Sequence, residues 1–243
     1  MREGMQFQVP QLLKGTKWVL IITGGFFILN SILGLSGLSL VAWFGLSLSQ
    51  VLGGLVYTVA TYPLLTSGPM EFLFNAMVLW FIGCELEALW GTKRYLQYIL
   101  FSLLGGGLFF LLVESLIGQN FVLAGLHGVC NALVLGYGLI FPDRQLYLLL
   151  FPVKGKYFCI ILVALQLYSG FFSPGGVLAW GHLGTMASGF IILLWWAQQK
   201  RKTRGHMAPW EKIIGQVSKR KASHLELVDD KKEEGKDNPK YWQ

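Results

Sequence analysis

The amino-acid sequence predicts an all-α integral membrane protein: a bundle of six transmembrane helices with both termini on the cytoplasmic side. Three observations carry that prediction. Of the 243 residues, 53% are hydrophobic and only 14% charged, against about 25% charged in a soluble domain. The apolar runs are too many and too evenly spaced to share one soluble core, so they make one polytopic domain. Finally, all 20 Lys and Arg fall into four clusters. These are Arg2, Lys14 and Lys17; Lys93 and Arg94; Arg144, Lys154 and Lys156; and the tail from Lys200 onward. Positively charged clusters stay on the cytoplasmic side of a membrane, so an even number of spans must separate each from the next. The net charge of +7 is therefore a topology signal rather than a patch for nucleic acid, which is not an expected partner.

That parity assigns the elements in order. Residues 1–17 form a cytoplasmic lead with no cleavable signal, because a short apolar stretch followed by a small-residue cleavage site is missing. The six-span domain occupies 18–198, and its first span is about 18–38. Residues 39–69 are uncharged and partly apolar, but a span there would place Lys93 and Arg94 outside. The stretch is read as a long external loop in the interface, broken by Gly53, Gly54, Pro63, Gly68 and Pro69, with Trp43, Tyr57 and Tyr62 at headgroup level. Span two is about 70–89 and span three about 95–116, with Gly105, Gly106 and Gly107 midway. Span four is about 123–140, stopped by Pro142, Asp143 and Arg144. Span five is about 157–172, and span six, after a turn at Ser173–Gly176, is about 177–198. Residues 199–221 make a basic cytoplasmic segment in which Trp210, Ile213, Ile214 and Val217 keep helical spacing, as in a surface helix on anionic lipid. Residues 222–243 cannot build a core and are expected to be disordered. Cys84, Cys130 and Cys159 have no paired spacing and read as buried free thiols.

Span four has a face with almost no bulk: Gly128, Ala132 and Gly136 recur every four residues, after Gly125. Span six repeats the pattern with Gly181, Thr185 and Gly189. Small residues at this spacing let two membrane helices approach closely, so the two stripes are expected to face each other. Each helix carries one histidine, His127 and His182.

A side chain that can be charged inside a membrane costs a few kcal/mol unless it is paired, which makes it a functional suspect. The candidates are Glu71, Glu85, Glu87, Glu114, His127 and His182. Glu85 and Glu87 are expected to pair with Lys93 and Arg94, and Glu114, near an external helix end, to be solvated. Glu71, His127 and His182 all fall toward the external half, and Asn75 shares a face with Glu71. They either line one polar pocket or are each satisfied separately by a carbonyl or water.

The span order and several motifs resemble the rhomboid intramembrane serine proteases over about residues 17–198. The motifs are Phe74-Asn75; Glu85, Glu87, Gly91 and Arg94; Gly125, His127 and Gly128; Phe141-Pro142-Asp143-Arg144; and His182-Leu183-Gly184. The resemblance implies a serine–histidine dyad, with the serine in a Gly-x-Ser-Gly motif at the start of span four. His182 then falls on the dyad histidine and Asn75 on the oxyanion-stabilising asparagine. His127 occupies the position of the nucleophile. Glu71 stands where the family often has a histidine, and Thr185 where a second glycine often follows the dyad histidine.

An acyl transfer needs an activated hydroxyl and donors aimed at the oxyanion. His127 has no hydroxyl, and an ionised Glu71 only accepts hydrogen bonds. Cys130 and Ser188 are poorly placed substitutes. The expectation is a rhomboid-like pseudoprotease that binds transmembrane segments of client proteins among membrane lipid, needs no cofactor, and sits in a bacterial inner membrane. Two alternatives stand beside it. One is an active intramembrane endopeptidase with a nonstandard nucleophile. The other is a metal centre on Glu71, His127 and His182, a two-histidine, one-carboxylate ligand set.

Overall fold

The computed structural model describes residues 11–66, 68–118, 120–146 and 153–205. It is all-α except for a two-residue antiparallel ribbon, Gln145–Leu146 against Val153–Lys154. Helix α1 is Lys14–Leu35, followed by three short helices, α2 Val41–Phe44, α3 Leu48–Leu52 and α4 Thr58–Thr61. Then come α5 Pro69–Val78, which runs through a π-helical turn at Leu79–Gly83 into α6 Cys84–Trp90, and α7 Thr92–Ile117. The last three are α8 His127–Ile140, α9 Gly155–Phe172 and α10 Val177–Gly205. The compact unit ends at Trp196. The helical pattern expected at 210–221 and the tail expected at 222–243 lie outside the described residues.

Five stretches among the described residues are long and apolar enough to cross a membrane: Lys14–Leu35, Pro69–Trp90, Thr92–Ile117, Gly155–Phe172 and Val177–Gln199. The chain is thus a multi-pass membrane protein. The fourth expected span is corrected, because α8 has only 14 residues and begins at His127 rather than at 123. The cause is local. Leu123 exchanges backbone hydrogen bonds with Leu46 at 2.7 and 2.9 Å, and Gly125 donates its N–H to Tyr62 O at 2.9 Å. Gly125 also adopts φ +107°, a conformation that side chains other than glycine's rarely allow. Chain committed to those bonds cannot be helical, so the helix starts two residues later.

Residues 39–66 form short helices and a 3₁₀ turn instead of a span. Trp43 and Tyr57 are exposed, whereas Tyr62 is buried and donates its hydroxyl to Leu103 O at 2.9 Å. Tyr62 therefore faces the protein interior rather than lipid headgroups, and it pins this segment to α7.

The core forms where α7, α8 and α10 meet through small residues. A Cβ on Gly106 of α7 would overlap the Thr185 side chain, and one on Gly105 would overlap Ser188. Gly128 of α8 lies against Thr185 and His182. Further along, the two small-residue stripes do not meet as expected. Gly189 packs on Tyr98 and Ser102, and Gly136 on Tyr98 and Leu193. Tyr98 of α7 enters between the stripes and donates its hydroxyl to Ala132 O at 2.5 Å. Close approach of α8 and α10 is confined to the end that carries the histidines.

Candidate functional site

Three helix segments bring the polar residues together. His127 is the first residue of α8, projected from the end of the non-helical segment that Leu46 and Tyr62 hold in place. His182 lies one turn before Thr185 on α10, in the stretch where Gly128 leaves room for both side chains. The two imidazole rings stand with centroids 5.5 Å apart and planes at 48°. Both histidines are half-buried.

Glu71 is in the first turn of α5, which Pro69 opens at a position where its missing N–H costs no helical bond. A Cβ added to Gly125 would lie 2.7 Å from Glu71 Oε1, so the carboxylate rests against the backbone two residues before His127. Asn75, one turn further along α5, is 3% exposed. Its main-chain oxygen accepts the thiol of Cys130 at 3.7 Å, yet neither atom of its own carboxamide has a partner among the described residues.

Two hydroxyls lie near His182 on its own helix, and both are engaged there. Thr185 Oγ1 donates to Gly181 O at 2.9 Å and Ser188 Oγ to Gly184 O at 2.8 Å. The arrangement joins two imidazoles and places a carboxylate beside the approach to one of them. No group of three His, Cys, Asp or Glu residues is gathered as a metal site among the described residues. The expectation of a three-ligand centre on Glu71, His127 and His182 is corrected on that geometry.

The three other carboxylates behave differently from the sequence expectation. Glu87 does not pair with Lys93 or Arg94. Its Oε1 accepts from Gly15 N and Thr92 Oγ1, both at 2.7 Å, and its Oε2 from Thr16 N at 2.7 Å and Thr16 Oγ1 at 2.9 Å. It thereby caps the start of α1, whose first N–H groups have no helical partner. Gly15 is needed for this approach, because a Cβ there would lie 2.9 Å from Glu87 Oε1. Glu85 pairs with Arg144 at 2.7 Å, joining the first turn of α6 to the segment after α8. Glu114 is 1% exposed rather than solvated, and accepts from Leu48 N at 2.8 Å and Phe121 N at 3.0 Å. It fastens the two segments that meet in the Leu46–Leu123 bridge, and so helps to aim His127.

Asn131 was not singled out from the sequence. It is 6% exposed, and its Nδ2 lacks a partner among the described residues. A signal existed: it follows His127 by one helical turn, as Asn75 follows Glu71.

Residues 53–199 match the Rhomboid domain family, a range that contains Glu71, Asn75, His127 and His182. Among characterised proteins, the chain is similar to Rhomboid-like protein 19 of Arabidopsis thaliana, with 28% identity over 53% of this chain and 52% of the relative. The chain therefore spans about half the length of the curated relative it matches.

Proposed function

The chain belongs to the rhomboid family, and on that premise we propose that it is a proteolytically inactive member that binds transmembrane segments of client proteins. One observation carries the reading: at the first residue of α8, an imidazole rather than a hydroxyl faces His182, with ring centroids 5.5 Å apart. Peptide-bond attack by a rhomboid-type dyad requires a hydroxyl whose proton passes to the histidine. Two imidazoles have no alkoxide to generate. Glu71 adds an acceptor where a developing oxyanion needs donors. What remains is a close-packed scaffold with a polar cleft at one end.

The same reading extends to topology. Glu87 ties the ends of α1, α6 and α7 together, Glu85 adds the end of α8 through Arg144, and Lys156 at the start of α9 reaches Asp143 at 3.0 Å. Lys14, Lys17, Lys93, Arg94, Arg144, Lys154 and Lys156 all lie within a few residues of these ties, which supports one basic, cytoplasmic end. With α8 as a short sixth crossing, about 21 Å long and enclosed by the bundle, both termini fall on that side. A bacterial inner membrane is the setting we propose, from the compact membrane core.

The test uses purified full-length protein in liposomes, a helical transmembrane substrate cut by active rhomboids, and a serine-reactive phosphonate probe. Neither cleavage nor labelling is expected. Cleavage that disappears in His182→Ala would overturn the reading and establish a peptidase with a nonstandard nucleophile.

A further inference from the structure

Beneath the histidine pair lies a second polar layer. Asn75 sits one turn below Glu71 on α5, and Asn131 one turn below His127 on α8. Cys130, adjacent to Asn131, sets its thiol against the Asn75 main-chain oxygen at 3.7 Å, so both asparagines stand at one level of the bundle. They are 3% and 6% exposed. Oδ1 and Nδ2 of Asn75 and Nδ2 of Asn131 have no hydrogen-bond partner among the described residues. Unpaired amide atoms are costly in a membrane interior, where water is not at hand to replace the missing partner. The Asn75 amide, unpaired at both ends, is an unfilled hydrogen-bonding requirement.

We propose that this layer recognises a side-chain carboxamide, an Asn or Gln within the transmembrane helix of a client. The inference rests on the client-binding reading and deepens it by naming the group that is read. The chemistry follows by elimination. An ammonium or guanidinium only donates and leaves Asn75 Nδ2 unpaired. An ionised carboxylate only accepts, leaves Oδ1 unpaired, and meets the Glu71 carboxylate one turn away; only its protonated form offers the donor and acceptor that a carboxamide carries at every pH. One hydroxyl cannot serve both ends of the Asn75 amide with good geometry. The backbone amides of a client helix are already paired within that helix. A carboxamide offers a donor and an acceptor with the same separation as those of Asn75, so the two form a cyclic pair of hydrogen bonds. Entry requires α5 to shift from α8 at this level, where the weak thiol contact of Cys130 is the polar tie.

The experiment uses full-length protein in phosphatidylcholine vesicles with two fluorescent Leu-rich transmembrane peptides, kept dilute enough to remain monomeric. They are identical except for Asn or Leu at one position level with Asn75. The Asn peptide is expected to bind about threefold to tenfold tighter, the range open to a polar contact between membrane helices. A peptide with Asp there should gain nothing over Leu at a pH where its carboxyl is ionised. Asn75→Leu should remove the preference, so that the Asn and Leu peptides bind it alike, while unfolding in detergent reports that the variant is folded. Asn75→Asp provides the same comparison should the leucine variant misfold. Equal binding of the Asn and Leu peptides overturns the carboxamide inference and leaves client binding standing. Binding of neither peptide removes client binding and the inference with it. A preference that persists in both Asn75 variants places amide recognition elsewhere and overturns this site.

Discussion

Glu114 and Asn75 are buried to nearly the same degree, 1% and 3% exposed, and both lie in membrane-length helices. Their surroundings are opposite. Glu114 accepts two backbone N–H groups from segments that no helix could satisfy, and Glu87 likewise gathers four donors from α1 and α7. Among the buried side chains described, Asn75 is the one unpaired at both ends. Hydroxyls of Tyr95 and Ser102 also lack partners; they lie on α7, away from the histidines. The contrast separates two uses of polarity in an apolar bundle. Where a carboxylate holds chain segments in place, its bonds are complete. Beside the histidines, a strong hydrogen-bonding group is left without a partner among the described residues.

The sharpest way to break that contrast is to remove a completed site. Glu87→Ala strips two backbone N–H groups and two hydroxyls of their acceptor at once, and frees the start of α1. A loss of about 3–5 kcal/mol is expected, since a hydrogen bond to a charged acceptor contributes about 1.5–3 kcal/mol and several donors lose theirs together. The measurement is thermal unfolding in detergent, together with protease access to α1. An unchanged unfolding midpoint would mean that the cap contributes little and that complete bonding does not mark structural sites.

Glu114→Ala should come next, at about 2–4 kcal/mol, because two donors rather than four lose a charged acceptor. The effect has a local signature. Amide hydrogen exchange at Leu48 and Phe121 should rise more than exchange within α10. Glu114→Gln keeps an acceptor and should recover part of the loss. Uniform exchange across the bundle would argue that Glu114 does not specifically fasten these two segments.

The legible and illegible parts of the molecule divide along similar lines. Membrane-length helices could be read from apolar runs, and the short helices at 39–66 were separated from a span by counting charges at Lys93 and Arg94. Local signals of this kind survive in a sequence. The start of α8 did not, because Leu123 and Gly125 are drawn out of the helix by Leu46 and Tyr62, more than sixty residues earlier. Glu87 and Glu114 were misread for a related reason: their partners are backbone N–H groups of distant segments, and a backbone group leaves no residue-type trace. The small-residue stripes were visible, but the Tyr98 wedge that keeps them apart beyond Thr185 was not. Around the histidines, the residue types were legible and the missing bonds of Asn75 and Asn131 were not, since an unpaired amide is a property of the packing alone.

The smallest effect on stability is expected at the open site, and its sign is the informative part. Asn75→Leu exchanges a carboxamide for an apolar side chain of similar shape. No hydrogen bond is lost among the described residues, while the cost of holding an unpaired amide away from water disappears. Stability should stay level or rise by about 1 kcal/mol, read from the same detergent unfolding as the two glutamate variants. Most substitutions of a buried polar residue go the other way, because its partner is left behind unpaired. A fall of more than about 1 kcal/mol would therefore reveal a bond to Asn75 in the free protein. Asn75 would then belong with Glu114 as a structural group, and a carboxamide arriving on a client would find its place already taken.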